Sequence, residues 1–189
     1  MINSRPAKTE HEILDVIANR YANMAFDQRE IEKDKIASLL EAARWAPSSY
    51  NEQPWQYVIG YKGDETHAKL AECLMDGNAY ARVAPVLMLS VAKKFYAFNK
   101  SENRHAMHDV GCATGYMYLQ ATAMDLGMHE MGGFSVEKAR ESFGIGDDFE
   151  PAAVIAVGYP GDVATLPDGV RERATAPRTR KAVEEMIWK

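Results

Sequence analysis

The stretch Ala46-Pro47-Ser48-Ser49-Tyr50-Asn51-Glu52-Gln53-Pro54-Trp55 separates a helical pattern from a strand pattern. Pro47 has no N–H to donate and its ring clashes with the preceding turn, so the helix has to end there. The loop that follows offers hydroxyl and amide groups from Ser48, Ser49, Asn51 and Gln53. Amide side chains present a donor and an acceptor together, which suits the mixed edge of a flat heterocycle. The same side chains can instead cap their own backbone in a turn, so the loop alone leaves both interpretations open.

Apolar spacing outside this loop predicts the neighbouring elements. A helix over residues 33–45 places Ile36, Leu39, Leu40 and Ala43 on one face, and residues 55–61 have the β-branched and aromatic content of a strand. Further helices are predicted over residues 65–75 and 102–126 and after Ser135, with buried strands over 86–91, at the centre of the sheet, and 151–160. Because helices and strands alternate without a regular period, the pattern favours an α+β sandwich over a doubly wound sheet.

The composition is that of one soluble globular domain. The 189 residues, 47% hydrophobic and 26% charged, suffice for a single core, and we expect one domain over residues 1–189. A net charge of -5 gives no general attraction for nucleic acid or anionic lipid, so we expect neither as a partner. The first residues are too polar for a signal peptide, and no segment reaches about 20 apolar residues. We therefore expect a cytoplasmic protein without a membrane span.

Two glycines mark the long predicted helix. Gly111 and Gly115 lie one turn apart and leave a flat strip where another helix can approach closely. Each glycine costs roughly 1 kcal/mol of helix propensity relative to alanine, so a close helix crossing would offset that cost. The crossing can lie within the subunit or across a dimer, and the sequence leaves both open.

Several common catalytic motifs are absent from the sequence. It contains no G-x-G-x-x-G, no G-x-x-x-x-G-K-[ST] and no G-x-S-x-G. An enzyme of this kind that uses NAD(P)H would have to bind the nicotinamide over another cofactor. His105, His108 and Asp109 are the best metal candidate, but Asp109 is one residue from His108 and faces elsewhere on a helix. We expect no metal site.

Basic residues form two groups at opposite ends of the chain. Arg20 lies at the end of the first helical pattern, and Arg178 and Arg180 are two residues apart in an extended segment, which places them on one side. Planar guanidinium groups can bind a phosphate through two hydrogen bonds at once. A solvated basic patch is the alternative interpretation.

With its flanks, the stretch from Leu39 to Trp55, LLEAARWAPSSYNEQPW, resembles the signature of the nitroreductase family of FMN-dependent NAD(P)H oxidoreductases. The resemblance extends at lower density from about Arg20 to Arg180. It implies a nitroreductase-like α/β/α sandwich of the α+β class, with a mixed, mainly antiparallel sheet. It also implies an obligate homodimer with two FMN sites at its interface.

The resemblance assigns residues to both ends of the cofactor. Arg20, Tyr21 and Ala22 match the family's N-terminal stretch, and Arg178 and Arg180 match the C-terminal basic pair that holds the FMN phosphate and ribityl chain with it. The loop residues that would reach the flavin of the partner subunit are Pro47, Ser48, Ser49 and Asn51.

The flavin ring has its own counterparts in the sequence. Asn78 resembles the family's amide contact to the pyrimidine edge. Met131, Gly132 and Gly133 resemble the segment whose backbone N–H faces flavin N5, where glycines let the main chain come close. No catalytic side chain is implied, because the flavin carries the chemistry.

Two positions depart from the family pattern. Ala22 stands where many relatives have serine, so a hydroxyl contact is lost. Met24 stands where many have lysine or arginine near flavin N1 and O2. A cation there stabilises the anionic reduced flavin, so its absence lowers the reduction potential unless another group replaces it. Arg82 is the candidate for that role.

The activity implied by the resemblance is ping-pong transfer of hydride from NADH or NADPH through flavin N5 to a small electron-poor acceptor, such as a nitroaromatic or a quinone. Related scaffolds also support flavin fragmentation, dehalogenation and enoate-type reduction. A flavin-binding protein of low turnover, acting as a reservoir or sensor, is a further alternative. So is a protein that binds another phosphorylated ligand through Arg20, Arg178 and Arg180.

Overall fold

The fold alternates helices and strands along residues 5–188, the part of the chain that the computed structural model describes. The helices are α1 (Asp15–Asn19), α2 (Lys33–Arg44), α3 (Glu65–Cys73), α4 (Ala106–Ala123), α5 (Val136–Phe143) and α6 (Asp168–Thr175). The strands are β1 (Trp55–Tyr61), β2 (Val86–Lys93), β3 (Gly127–Met131) and β4 (Phe149–Gly158). Short 3-10 helices cover Ser49–Asn51, Asp76–Val83, Val163–Thr165 and Val183–Met186.

The strands form one sheet in the order β1-β2-β4-β3, and every neighbouring pair is antiparallel. The predicted central position of β2 is confirmed, since it pairs with both β1 and β4. The predicted mixed sheet is antiparallel throughout these strands. Among the residues described, parallel pairing is confined to an isolated bridge between Ala22 and Met128.

Each face of the sheet has its own hydrophobic core. On one face, Leu87 and Leu89 of β2 pack with Leu70 of α3 and Ala139 of α5. On the other face, alternate residues of the same strand pack with α2 and α4, through Val86, Met88, Leu39 and Met117. A strand whose successive side chains enter two cores has to be apolar throughout, as the sequence of β2 is. The α/β/α layering is therefore confirmed.

Two predicted helices are shorter than expected. The long helix begins at Ala106, not Glu102, because the Asn103 carbonyl oxygen Oδ1 accepts the N–H of His105 at 3.0 Å and holds a turn there. Helix α3 ends at Cys73, since Leu74 is extended and pairs with Phe134.

Two elements were not predicted from the sequence. The segment after Gly127 is strand β3, which pairs with β4 from Gly127–Gly158 to Met131–Val154. Helix α6 lies in the basic C-terminal region, just before Arg178 and Arg180. As for membrane association, none of the described helices is long and apolar enough to cross a bilayer.

The glycine strip of α4 lies open to solvent. A Cβ added at Gly111 or Gly115 would meet no atom within 4 Å, and both residues are exposed. Their neighbours Met107 and Tyr116 are also exposed. Within residues 5–188, therefore, no other element packs on the strip.

Candidate functional site

The Arg178 side chain joins the two ends of the chain. Its guanidinium donates to the carbonyl of Ala18 at 3.0 Å and to that of Arg20 at 2.8 Å, and also to the carbonyl of Arg5. The Arg5 guanidinium in turn donates to the carbonyls of Ala174 and Ala176. The end of α1 and the residues after α6 are held together by these arginines.

This junction concentrates positive charge. Burial lowers the pKa of Arg178, and the neighbouring charges of Arg20, Arg180 and Arg5 lower it further. Within residues 5–188, none of these four arginines forms an ion pair with a carboxylate. Unbalanced guanidinium groups in a half-buried setting favour the binding of an anion such as phosphate. The structure thus brings together the two basic groups that the sequence singled out.

A cavity of about 310 Å³ adjoins the arginines. Residues 21–24 form one wall, and Val163, Ala174 and Thr175 form another, with Arg5 beside them. Burial raises the pKa of Tyr21, and the positive charge of Arg5 partly offsets this rise. The Tyr21 hydroxyl donates to the Asn23 side chain at 3.3 Å. Tyr21 and Ala22, both predicted site residues, therefore line this cavity.

Asn78 and Gly133 form a second polar group. The Asn78 side-chain nitrogen donates to the Gly133 carbonyl at 3.0 Å, and a Cβ on Gly133 would lie only 2.6 Å from that nitrogen. Gly132 is open, since a Cβ there would meet nothing within 4 Å. The Met131 side chain is buried in the core, so only its backbone is available to a ligand. Neither glycine N–H has an acceptor in the described part of the chain.

Three ionisable side chains lie beside this group. The Tyr80 hydroxyl is 3.3 Å from His129 Nε2, and the Arg173 guanidinium lies 5.9 Å from the centre of the Tyr80 ring. Burial lowers the pKa of His129, and the Arg173 charge acts in the same direction. His129 is consequently neutral at physiological pH.

Arg82 is engaged elsewhere. Its guanidinium donates to the carbonyls of Ala71 at 3.0 Å and Leu74 at 2.8 Å. These bonds satisfy orphan carbonyls at the end of α3. The hypothesis that Arg82 replaces the missing flavin cation is therefore not supported.

The loop after Pro47 has an unusual backbone. Tyr50, Asn51 and Gln53 have φ angles of 53°, 56° and 51°. Such left-handed conformations cost non-glycine residues free energy and persist only where the surroundings hold them.

Buried acids provide much of that support. The backbone N–H of Ser49 donates to Asp109 Oδ2 at 3.0 Å. Glu52 Oε1 accepts from the Ala97 N–H at 2.9 Å and from Lys93 Nζ at 3.1 Å. Only 6% of the Glu52 side chain and 5% of the Asp109 side chain are exposed.

The loop hydroxyls are used within the chain. Ser48 Oγ accepts the Gln53 N–H at 3.0 Å, and Ser49 Oγ is 2.9 Å from the Tyr96 hydroxyl. This arrangement agrees with the self-capping interpretation. Pro47 and Asn51 are exposed, as is Tyr50 at 82%.

The loop and the arginine junction are separated along α4. Asp109, near the beginning of the helix, holds the loop, whereas the Arg20 guanidinium lies 5.4 Å from the ring of Tyr118. Nine helical residues correspond to about 13 Å along the axis. Within one chain, the structure does not bring Pro47, Ser48, Ser49 and Asn51 to the cavity.

Two of the three metal candidates have other contacts. The buried Asp109 accepts from the loop, and Nδ1 of the exposed His108 lies 3.2 Å from Asp109 Oδ1. Among the described residues, no three potential ligands are placed to hold a metal ion.

Sequence reasoning missed Arg5 and Arg173 as neighbours of the site. Arg5 lies in a polar segment without a motif, and its position depends on contacts with residues about 170 positions away. A helical pattern over Asp168–Thr175 was the one signal that could have drawn attention to Arg173.

Comparison with known proteins relates this arrangement to a family. The family model described as "Nitroreductase family" matches residues 17–100 and 78–159. An uncharacterised 15.4 kDa protein of Mycolicibacterium smegmatis is 34% identical over 141 residues, covering 70% of this chain and 94% of that protein. An NADH dehydrogenase of Thermus thermophilus is 25% identical over 158 residues, covering 67% of this chain and 76% of that protein. A crystal structure described as an oxidoreductase containing FMN superposes with a TM-score of 0.91 at 29% identity, covering 100% of this chain and 97% of that chain.

The Glu52 carboxylate yields a pH prediction. The hydrogen bond from the Ala97 N–H, and then Lys93, lower the pKa of Glu52 from its ordinary value of 4.5. The charged carboxylate therefore stabilises the fold at pH values above 4.5. This contribution is lost as the pH falls through the lowered pKa of the folded state. We expect Glu52→Gln to reduce the free energy of unfolding by about 1–2 kcal/mol at pH 7, with a difference that shrinks in acid.

Urea titrations at pH 7 and at several values below 4.5 provide the measurement. Glu141→Gln, at an exposed position of α5, is the control and should match the wild type at each pH. An equal loss in the Glu52 variant at every pH would contradict the assignment.

Proposed function

This chain belongs to the nitroreductase family, and on that basis we propose that it is an FMN-dependent oxidoreductase that works by a ping-pong mechanism. NADH or NADPH is the hydride donor, and a small electron-poor molecule, such as a nitroaromatic or a quinone, is the acceptor. The arginine junction beside the cavity is the observation that carries this proposal, because it provides an anion site without carboxylates.

The phosphate end of FMN fits this junction. Arg178 is held by three carbonyls and so contributes charge from a fixed position. The Arg20 guanidinium, which rests on the Tyr118 ring, donates to none of the described residues and is free to bind a phosphate. Tyr21 and Ala22 line the wall along which the ribityl chain would run.

The ring end fits the Asn78–Gly133 pair. With one amide hydrogen bonded to Gly133, Asn78 is held in a single orientation toward a ligand. The unpaired N–H groups of Gly132 and Gly133 are donors of the kind that a flavin N5 requires. Gly132 leaves the space into which a ring can approach.

Bound FMN supplies the hydride chemistry in this proposal. The protein's residues bind and orient it, so neither a side-chain nucleophile nor an acid–base pair is needed. Two of the similar proteins agree with this division, since one is named an NADH dehydrogenase and the other is an oxidoreductase containing FMN.

A homodimer accounts for the loop and the glycine strip together. The loop containing Asn51 is exposed, and Asp109, which holds it, lies about 13 Å along α4 from Tyr118, which contacts Arg20 of the junction. The loop therefore does not reach the cavity of its own chain and would complete another chain's site. The open strip at Gly111 and Gly115 gives a second copy a close approach to the same helix.

The visible spectrum tests the proposed function first. We expect the purified or FMN-reconstituted protein to show flavin bands that bleach within seconds when NADH or NADPH is added anaerobically, and that return with a quinone. Bands that persist would favour the reservoir or sensor alternative. Failure to bind FMN would overturn the proposal and favour another phosphorylated ligand.

Arg20→Ala tests the phosphate end. Loss of a charge-assisted contact should raise the FMN dissociation constant by about 10- to 100-fold. Riboflavin lacks the phosphate, so its affinity should not change. Fluorescence titration of both ligands gives the comparison, with Arg44→Ala, whose partner is the surface residue Glu41, as a control. An equal effect on both ligands would contradict the assignment.

Gly115→Leu tests the dimer. The added side chain meets open space within one chain, so a monomer would tolerate it, whereas a close contact between two chains would be blocked. Light scattering should give the mass of two chains for the wild type and of one for the variant, with weaker FMN binding. Glu141→Leu on α5 is the matched control and should remain dimeric. A monomeric wild type would contradict the proposal.

A further inference from the structure

We propose that Arg173 supplies the positive charge at the pyrimidine edge of bound FMN, and so raises its reduction potential. This inference rests on the proposed FMN site and deepens it. It addresses the cation that is missing at Met24, which lines the cavity with residues 21–23.

Helix α6 carries Arg173 to the Asn78 group. Nη2 of Arg173 lies 3.4 Å from the carbonyl oxygen of Gly77, the residue next to Asn78. The guanidinium carbon lies 5.9 Å from the centre of the Tyr80 ring. Arg173 therefore lies beside the residue whose amide is fixed by Gly133, and a ring edge that binds Asn78 comes within reach of its charge.

The charge of Arg173 is free to act on a ligand. None of the carboxylates described lies within ion-pair distance of Arg173, whereas Arg171 on the same helix pairs with Asp168. Arg173 donates a single long hydrogen bond, to the Gly77 carbonyl at 3.4 Å, whereas Arg82 donates two at the end of α3 and Arg178 donates three at the arginine junction. His129 adds no second cation, because burial keeps it neutral.

The neighbouring groups show the reach of this charge. Burial raises the pKa of Tyr80, and Arg173 opposes that rise. Arg173 also lowers the pKa of His129, in addition to the effect of burial. The guanidinium thus acts on Tyr80 and on His129, which contact each other at 3.3 Å.

The chemical consequence follows from charge balance. NAD(P)H transfers two electrons and one proton as hydride to N5, becomes NAD(P)⁺, and leaves FMN with one additional negative charge spread over N1 and O2. A fixed cation beside that edge stabilises the reduced form more than the oxidised one. Sulfite reports the same effect without turnover, because its lone pair forms an S–N5 bond and sends the charge to N1 and O2.

The test compares Arg173→Ala, Arg173→Lys and Arg171→Ala in the FMN-loaded protein. We expect Arg173→Ala to raise the sulfite dissociation constant about tenfold, which corresponds to a fall of about 30 mV in the two-electron midpoint potential. Arg173→Lys should recover most of the effect, and Arg171→Ala should match the wild type. Absorbance titration with sulfite and a dye-coupled potential measurement give the two values.

The outcomes separate this inference from the proposed function. If wild-type protein binds FMN and Arg173→Ala leaves both the sulfite constant and the potential unchanged, the inference is wrong and the proposed function stands. An equal change in Arg171→Ala would also overturn it, since a general field of α6 would then be responsible. If wild-type protein binds no FMN, both fail together.

Discussion

Burial of β2 on both faces is the constraint on which the other layers depend. A strand that sends alternate side chains into two cores requires a helical layer on each side, and α4 provides the central part of one layer. The same helix holds the Pro47 loop through Asp109 and supports Arg20 through Tyr118. Core packing therefore fixes the loop and the arginine junction at a set separation. The proposed homodimer depends on this separation, since the loop and the junction cannot meet within one chain.

The clustered charges of the arginine junction destabilise the folded state. Four guanidinium groups near one another, without carboxylates among the described residues, repel one another, and partial burial adds a desolvation cost. The fold offsets part of that cost by engaging Arg178 and Arg5 with main-chain carbonyls. In the proposed function the phosphate of FMN offsets the remaining charge. Ligand binding would then be coupled to folding, because a ligand that binds only the folded state stabilises it.

Most helices and strands could be predicted from the sequence because their strongest patterns are local. The apolar run of β2, the bounds of β1 and the Ser135 cap of α5 all follow from neighbouring residues. Strand β3 has none of those signals, since its sequence GMHEM mixes small, polar and apolar residues. It forms because β4 provides a partner and Asn23 packs directly against Gly127. Tertiary context also decides the contacts of individual cations, because Arg82 donates to two carbonyls of α3 while Arg173 donates to the Gly77 carbonyl beside Asn78.

The strained loop limits which of its side chains could contact a second chain in the proposed homodimer. Three left-handed residues cost about 1–3 kcal/mol each, and internal contacts to Asp109, Glu52 and Tyr96 hold them. Both serine hydroxyls also make contacts within the loop region, Ser48 Oγ with the Gln53 N–H and Ser49 Oγ with the Tyr96 hydroxyl. The groups left to project outward are the Tyr50 ring and the Asn51 amide. The motif thus divides into serines with contacts inside the chain and an exposed Tyr50–Asn51 tip, whose ring and amide would face another chain in the proposed homodimer.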